Sequence, residues 1–399
     1  MKKTIPVSLI LCVLLIWLAV PISAAYDPVI EQDVTFVFGE TVTFYLNLDG
    51  AEEPESTWLF IHPRDQGIAN FQLEIQSAGE NTFVLTPEKL LLKPFSAVAY
   101  WYELEYADGT EFVTDEETFY YVDNRVEWQH TGNDHFELYW QEGNHDFGAA
   151  ALNTAQQAWE DLESQYKNSP ETPVIAYLYP GKTELQEALA LGNMNWVAGH
   201  ADPQLNAVLI SIAPGPEQRL EMQRQIPHEL AHLFTYATLE GGYTNQPRWL
   251  LEGLASMAEV AENEDYTDAL TTAVRTNDLL SMEDLGNDFP SDTEEVYLAY
   301  AQSLSFTQYL QNEYGQAKLQ ELMAAYGEGM AFGAGFQRTY GISLSHAQAD
   351  WQQEVFGTRA AAMAWKTLAP TLGLLFLLAV VPFAVTFFRK YFGKNSPHD

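Results

Sequence analysis

The chain has one cysteine in 399 residues, Cys12, and it falls inside an amino-terminal apolar stretch. Beyond that stretch no disulfide can staple the fold, and both a thiol nucleophile and a cysteine zinc site are excluded. Basic residues are the second scarcity: 19 Lys and Arg stand against 55 Asp and Glu, a formal net charge of −36. A surface of that sign repels phosphate backbones and anionic lipid, which excludes nucleic acid as a partner. Internal repeats, low-complexity tracts and the loop pattern of an EF-hand are also missing, so a solenoid and that kind of calcium site are excluded.

Long apolar runs occur only at the two ends. Residues 1–25 carry Lys2 and Lys3, then an apolar stretch, then the small residues Ser23, Ala24 and Ala25. These are the three regions of a secretory signal peptide, with cleavage near Ala24 or Ala25. Residues 367–388 are uncharged and apolar apart from interruptions at Pro370 and Pro382, and Arg389, Lys390 and Lys394 follow. That length and the basic flank predict one transmembrane helix, with residues 389–399 as a cytoplasmic tail. The expected location is the cell membrane, single-pass, with the bulk of the chain extracellular and the membrane contacted through this helix.

Between the ends the patterning changes once. Over residues 27–125, period-two runs such as Val42-Phe44-Leu46-Leu48 and Tyr100-Tyr102-Leu104-Tyr106 recur between turn signals such as Asp108-Gly109. Seven or so strands in that length predict an all-β immunoglobulin-like sandwich, in which no chemistry is evident. A second domain is expected over 134–357. Residues 136–141 and 173–179 read as strands, residues 146–166 and 183–191 as helices, and from Pro216 onward almost everything reads as helical, including residues 294–314, 316–326 and 343–354. A further apolar, β-branched run, residues 206–213, is bounded by Pro203 and Pro214 and reads as a strand.

The densest signal lies at His228-Glu-Leu-Ala-His232, followed twenty residues later by Glu252 within Trp249-Leu-Leu-Glu-Gly-Leu-Ala255. Residues 217–238 read as a helix, in which side chains four apart share a face, so two imidazoles can meet one metal. Glu252 stands in an apolar helical run where an unpaired carboxylate is costly, so it needs a partner. A metal supplies one, and a core salt bridge supplies one equally. Two histidines and a carboxylate leave a fourth position for water, which is the donor set of a catalytic zinc.

These segments resemble the gluzincin zinc metallopeptidases, the peptidase MA-like group in which a Glu downstream of the histidine pair is the third ligand. The resemblance covers about residues 134–356 and implies an α+β, thermolysin-like catalytic domain. It implies one Zn(2+) held by His228, His232 and Glu252, with Glu229 as general base. A tyrosine well downstream stabilises the oxyanion in aminopeptidase relatives; Tyr300 resembles it, and Tyr297, one turn earlier, remains an alternative. The resemblance also gives the strand before the zinc helix the role of pairing with an extended substrate. His200 and Asp202 read either as lining that cleft or as stabilising a turn.

Two departures from the relatives are informative. At residues 192–196, Asn195 stands where the aminopeptidases have the Glu that binds a free amino group, which points to an endopeptidase. Ser256 stands where many relatives have an acidic residue, so histidine orientation has to come from elsewhere. The expected function is therefore a membrane-anchored extracytoplasmic zinc endopeptidase acting on a polypeptide. The alternative is a catalytically inactive metallopeptidase-fold binding or scaffold protein at the cell surface, and hydrolysis of a non-peptide carbonyl also remains open. Substrate and oligomeric state are not legible.

Overall fold

The computed structural model describes residues 29–49, 53–64, 71–75, 81–90, 92–190, 199–290, 293–357 and 372. The chain forms two compact units, Met1–Leu92 with Ala97–Tyr121, and Lys93–Ser96 with Val122–Asp399. The expected signal segment, residues 1–25, lies outside the described residues.

In the first unit, β1 (Val29–Val37), β2 (Thr41–Leu48) and β5 (Asn81–Leu85) form one antiparallel sheet in the order β1-β2-β5. A second antiparallel sheet runs β4 (Phe71–Ile75), β3 (Ser56–Pro63), β6 (Ala97–Glu105), β7 (Glu111–Val113), with β8 (Glu117–Tyr120) also paired to β6. A single helical turn, α1 (Pro87–Leu90), precedes β6. Alternation puts Val42, Phe44 and Leu46 of β2 and Tyr100, Tyr102 and Leu104 of β6 on buried faces. The Phe44 and Tyr100 rings meet edge-on at 5.3 Å.

The expected fold class needs correction in two respects. Among the described residues the strands make two separate sheets of unequal size, and no strand closes them into an immunoglobulin-like sandwich. Alternation identifies which face of a strand is buried but not which strand it pairs with. The C-terminal transmembrane helix is not part of the described fold either: no helix among the described residues is long and apolar enough to cross a membrane. Residues 367–388 lie outside the described residues except Leu372, which is half exposed. Length and apolarity of a run speak to its transfer into lipid and not to the structure it adopts.

The second unit is built on a five-stranded sheet. Its strands are β9 (Gln129–Gly132), β10 (Phe136–Trp140), β11 (Val174–Tyr179), β12 (Gly199–Asp202) and β13 (Ala207–Ser211), in the order β12-β13-β11-β10-β9. The three central strands are parallel and both edges are antiparallel. Crossovers between parallel strands carry helices, here α2 (His145–Gln165) between β10 and β11 and α3 (Lys182–Ala190) after β11. Helix α2 and the long α4 (Gln218–Leu239) cover one face, where Trp159, Leu162, Ile226, Leu230 and Phe234 pack on Leu138, Ala176 and Ile210.

A helical half follows: α5 (Arg248–Ala258), α6 (Glu264–Thr276), α7 (Thr293–Tyr314), α8 (Gln316–Gly327), α9 (Phe332–Tyr340) and α10 (Leu344–Trp351). Its separate core gathers Trp249, Leu250, Phe306, Leu310, Tyr326 and Trp351 around α7. Helix α5 belongs to both cores, contributing Ala255 to the first and Trp249, Leu250 and Leu254 to the second. The seam between the two cores is therefore carried by one short helix, and Glu252 is on it.

That helix packs closely on α7 at Gly253. A Cβ there would meet the Ser303 carbonyl oxygen at 2.6 Å and collide with the Thr307 hydroxyl. Because the nearest obstacle includes backbone, Gly253→Ala must displace α5, and overpacking of this kind costs about 1–3 kcal/mol. Urea unfolding of the variant is expected to show a lower midpoint, together with weaker metal binding through the neighbouring Glu252.

Candidate metal centre

Helix α4 contains a proline at position 227, directly before the first histidine. Proline has no N–H, so the carbonyl of Gln223 one turn back loses its helical donor. It accepts instead from the backbone N–H of Val260 at 2.9 Å, just past the end of α5. Arg224 reinforces this join by donating from Nε to the Glu262 carbonyl at 3.2 Å. The two helices are thus registered by backbone, and their side chains face each other at a fixed offset.

At that offset His228 and His232 of α4 meet Glu252 of α5. The Glu252 Oε2 atom lies 3.4 Å from His228 Nε2 and 3.6 Å from His232 Nε2. All three donor atoms lie within 4.8 Å of one another, and among the described residues this is the one such group. A tetrahedral zinc with bonds of 2.0–2.1 Å separates neighbouring ligand atoms by about 3.4 Å. Charge-assisted hydrogen bonds are usually shorter than the observed separations. The residues present therefore fit a zinc ion better than they fit a salt bridge.

Without an ion the same side chains pair by charge. Burial alone lowers the His228 pKa, but bonds to Glu252 and Glu259 outweigh it and push it up to about 10. Burial alone raises the Glu252 carboxyl, but the two histidines hold it well below the usual carboxylate range. Glu229 is buried, and burial raises its carboxyl above the usual range despite the nearby imidazoles.

Two residues behind the histidines were not singled out from the sequence. Glu259, at the end of α5, accepts a hydrogen bond from His228 Nδ1 at 3.0 Å. Tyr243 Oη lies 3.2 Å from His232 Nδ1, in the 3₁₀ segment Glu240–Asn245. Such partners fix the ring orientation of a ligating histidine. Glu259 had a signal: it lies two helical turns beyond Glu252 and so on the same face. Tyr243 had none, because the turn that folds it back contains only Gly241 and Gly242 as cues. Ser256, expected in the place of an acidic residue, is buried in α5 and makes no bond to either histidine.

Strand β12 lies against the Glu229 side of the site. Gly199 is so near that any Cβ would collide with the Glu229 carboxylate. The expected substrate-pairing strand at 206–213 needs correction, since β13 is flanked on both sides by strands and buried throughout. Among the described residues the edge strand beside β13 is β12, which the sequence reading did not identify as a strand. Asp202 turns out to be a turn residue, accepting from the N–H groups of Gln204 and Leu205 at 3.0 and 3.2 Å. His200 is partly buried on β12, and burial lowers its pKa. Residues 192–196 lie outside the described residues.

Tyr300 reaches the site from α7, its ring centroid 6.1 Å from that of His228. Burial first, and then the Glu252 charge, push its phenol well above the ordinary value, so it remains a proton donor. Tyr297, one turn earlier, lines the same cavity but makes its ring contact with Tyr266. This cavity, about 420 Å³, opens beside His228 and Glu229, with Gly199 and the three tyrosines Tyr266, Tyr297 and Tyr300 in its walls.

Residues 154–357 match the Peptidase MA superfamily. The match spans more than half of the chain, which therefore belongs to that superfamily of peptidases. No protein of curated function matches it in sequence. Among solved structures, an aminopeptidase N family protein from Idiomarina loihiensis is 10% identical, with 80% of this chain and 75% of that chain covered and a TM-score of 0.36. A polysaccharide deacetylase from Bacillus cereus is 8% identical, with 50% of this chain and 66% of that chain covered and a TM-score of 0.22. At such loose superposition these likenesses are similarities only, and the family rests on the sequence match.

Metal-free His228 holds a proton up to about pH 10, whereas ligation requires the neutral ring. Zinc binding at pH 8 is thus expected to release a proton, and apparent affinity to rise with pH until about 10 and then level off. Calorimetry in two buffers of different ionisation enthalpy reads that proton; its absence would contradict the assignment. Replacing Glu259 by Ala removes the acceptor behind His228 and is expected to weaken zinc binding by about 10- to 100-fold.

Proposed function

We propose that the protein is a zinc endopeptidase acting on polypeptides outside the cytoplasm. The observation that carries this reading is the convergence of His228, His232 and Glu252, whose donor atoms lie within 4.8 Å of one another, with the buried carboxylate of Glu229 beside them. Zinc, when bound, polarises a carbonyl and acidifies water.

The residues of the chain have separate tasks. His228, His232 and Glu252 would hold the ion, and Glu259 and Tyr243 set the two rings. Glu229 takes a proton from the attacking water at a carboxylate oxygen and returns it to the leaving amine. Its raised pKa suits both transfers, since a general base works best when its pKa lies near the working pH. Tyr300 Oη donates a hydrogen bond to the carbonyl oxygen as charge develops on it. The free edge of β12 pairs with an extended substrate backbone, which is strand addition. Gly199 brings that edge close to Glu229. Asn195, in place of an amino-group anchor, supports endopeptidase action, and the signal-like residues 1–25 support export.

The test uses the full chain, with bound zinc measured and cleavage of a mixed peptide library profiled. Glu229→Gln is expected to keep zinc and lose cleavage by about 10²- to 10⁴-fold. Tyr300→Phe should lower kcat by about 10²- to 10³-fold with little change in KM. A wild-type chain that holds zinc and cleaves no peptide would favour the scaffold reading.

A further inference from the structure

We propose that Arg248 is a receptor for a substrate carboxylate placed close to the scissile bond. This inference rests on the peptidase reading above and adds the class of substrate. Arg248 is the first residue of α5, one turn before Glu252. Its Nε lies 3.7 Å from Glu252 Oε1, whereas Oε2 of the same carboxylate faces the histidines. The guanidinium therefore sits beside the Glu252 oxygen that is turned away from the histidines, with 40% of its side chain exposed.

The guanidinium has five N–H donors in a rigid fork. Its nearest acidic oxygens are Glu252 Oε1 at 3.7 Å and Asp288 Oδ1 at 4.0 Å, the latter on a side chain 92% exposed. Both are beyond hydrogen-bond range. No hydrogen bond from Arg248 is present among the described residues, although acids outnumber bases 55 to 19 in the chain. The group is nevertheless held in place, because its Cζ lies 4.9 Å from the centroid of the Phe289 ring. The same ring packs edge-on against Tyr300 at 5.2 Å. Stacking on an aromatic face fixes the guanidinium plane and leaves its donor edges available.

A guanidinium fork held on an aromatic face, with no hydrogen bond of its own and its side chain partly exposed, is complementary to one kind of ligand above others, a planar carboxylate bound through two parallel hydrogen bonds. With Glu252 Oε2 turned to the histidines, the other ion-pair partner of Arg248 among the described residues is the exposed Asp288. Closeness to Glu252 puts a carboxylate bound by Arg248 within about two or three residues of the reacting carbonyl, each extended residue spanning about 3.5 Å. That carboxylate belongs either to an Asp or Glu side chain or to the free carboxyl end of a peptide, and both present the same group.

The experiment compares matched fluorogenic peptides on the zinc-loaded full chain. One series exchanges Asp for Asn and Glu for Gln around the cleaved bond, and another exchanges a free carboxyl end for an amide. Wild type is expected to prefer the carboxylate member of one series by about 10- to 100-fold, mainly through KM, the range of a hydrogen bond to a charged group. The responding series identifies the source. In Arg248→Ala that ratio should collapse toward one, and Arg248→Lys should keep part of it, with zinc content read in each. Equal losses on both peptide members, accompanied by lower zinc content, would assign Arg248 to positioning Glu252 and overturn the proposal. A wild-type chain without preference in either series would do the same. If no peptide is cleaved, binding of the same pairs to zinc-loaded Glu229→Gln decides the matter without turnover, and equal binding overturns the proposal.

Discussion

Four ionisable side chains, His228, Glu229, His232 and Glu252, are buried together where α4 crosses α5, and the second unit is arranged around keeping them compatible. Taken singly, each would be expensive to remove from water. Together they pair charge with charge, and Glu259 and Tyr243 satisfy the outward nitrogens of the two rings. The arrangement works only if the two helices keep one register. The sheet core on one side of α5 and the α7 core on the other impose it, and Gly253 lets the helix seat against α7.

Much of this was legible in the sequence, because helical periodicity and spacing are local properties. The reading of a helix over 217–238 meets α4 at Gln218–Leu239, and the strands over 136–141 and 173–179 meet β10 and β11 within a residue or so. His228, His232 and Glu252 stood out by separation along two helices, and the fold brings their donor atoms together. Tyr300 and Tyr297 could not be told apart by sequence, since one helical turn separates them. Only the direction in which α7 approaches places Tyr300 beside His228.

What stayed hidden depends on contacts between distant segments. Strand β12 has only four residues, Gly-His-Ala-Asp, none with strong strand preference; it is a strand because β13 offers it a partner. Helices α6 and α9 also went unresolved within a stretch read only as generally helical. In the first unit the buried faces were readable from alternation, whereas the division into sheets of three and five depends on pairing that alternation does not encode. The apolar residues 367–388 illustrate the same gap, because composition gives a preference for lipid and no geometry.

Pro227 has a consequence for motion. A helix interior normally keeps its hydrogen bonds to itself, so neighbouring helices can slide on side chains alone. Here the missing N–H hands the Gln223 carbonyl to Val260, and the ladder of α4 continues, for one rung, into the end of α5. The two helices cannot part at that point by side-chain rearrangement; a backbone bond has to break. A motion that widens the cleft by parting α4 from α5 therefore has this bond to break as well as side-chain contacts. A residue that ordinarily interrupts a helix here ties two helices together through the backbone.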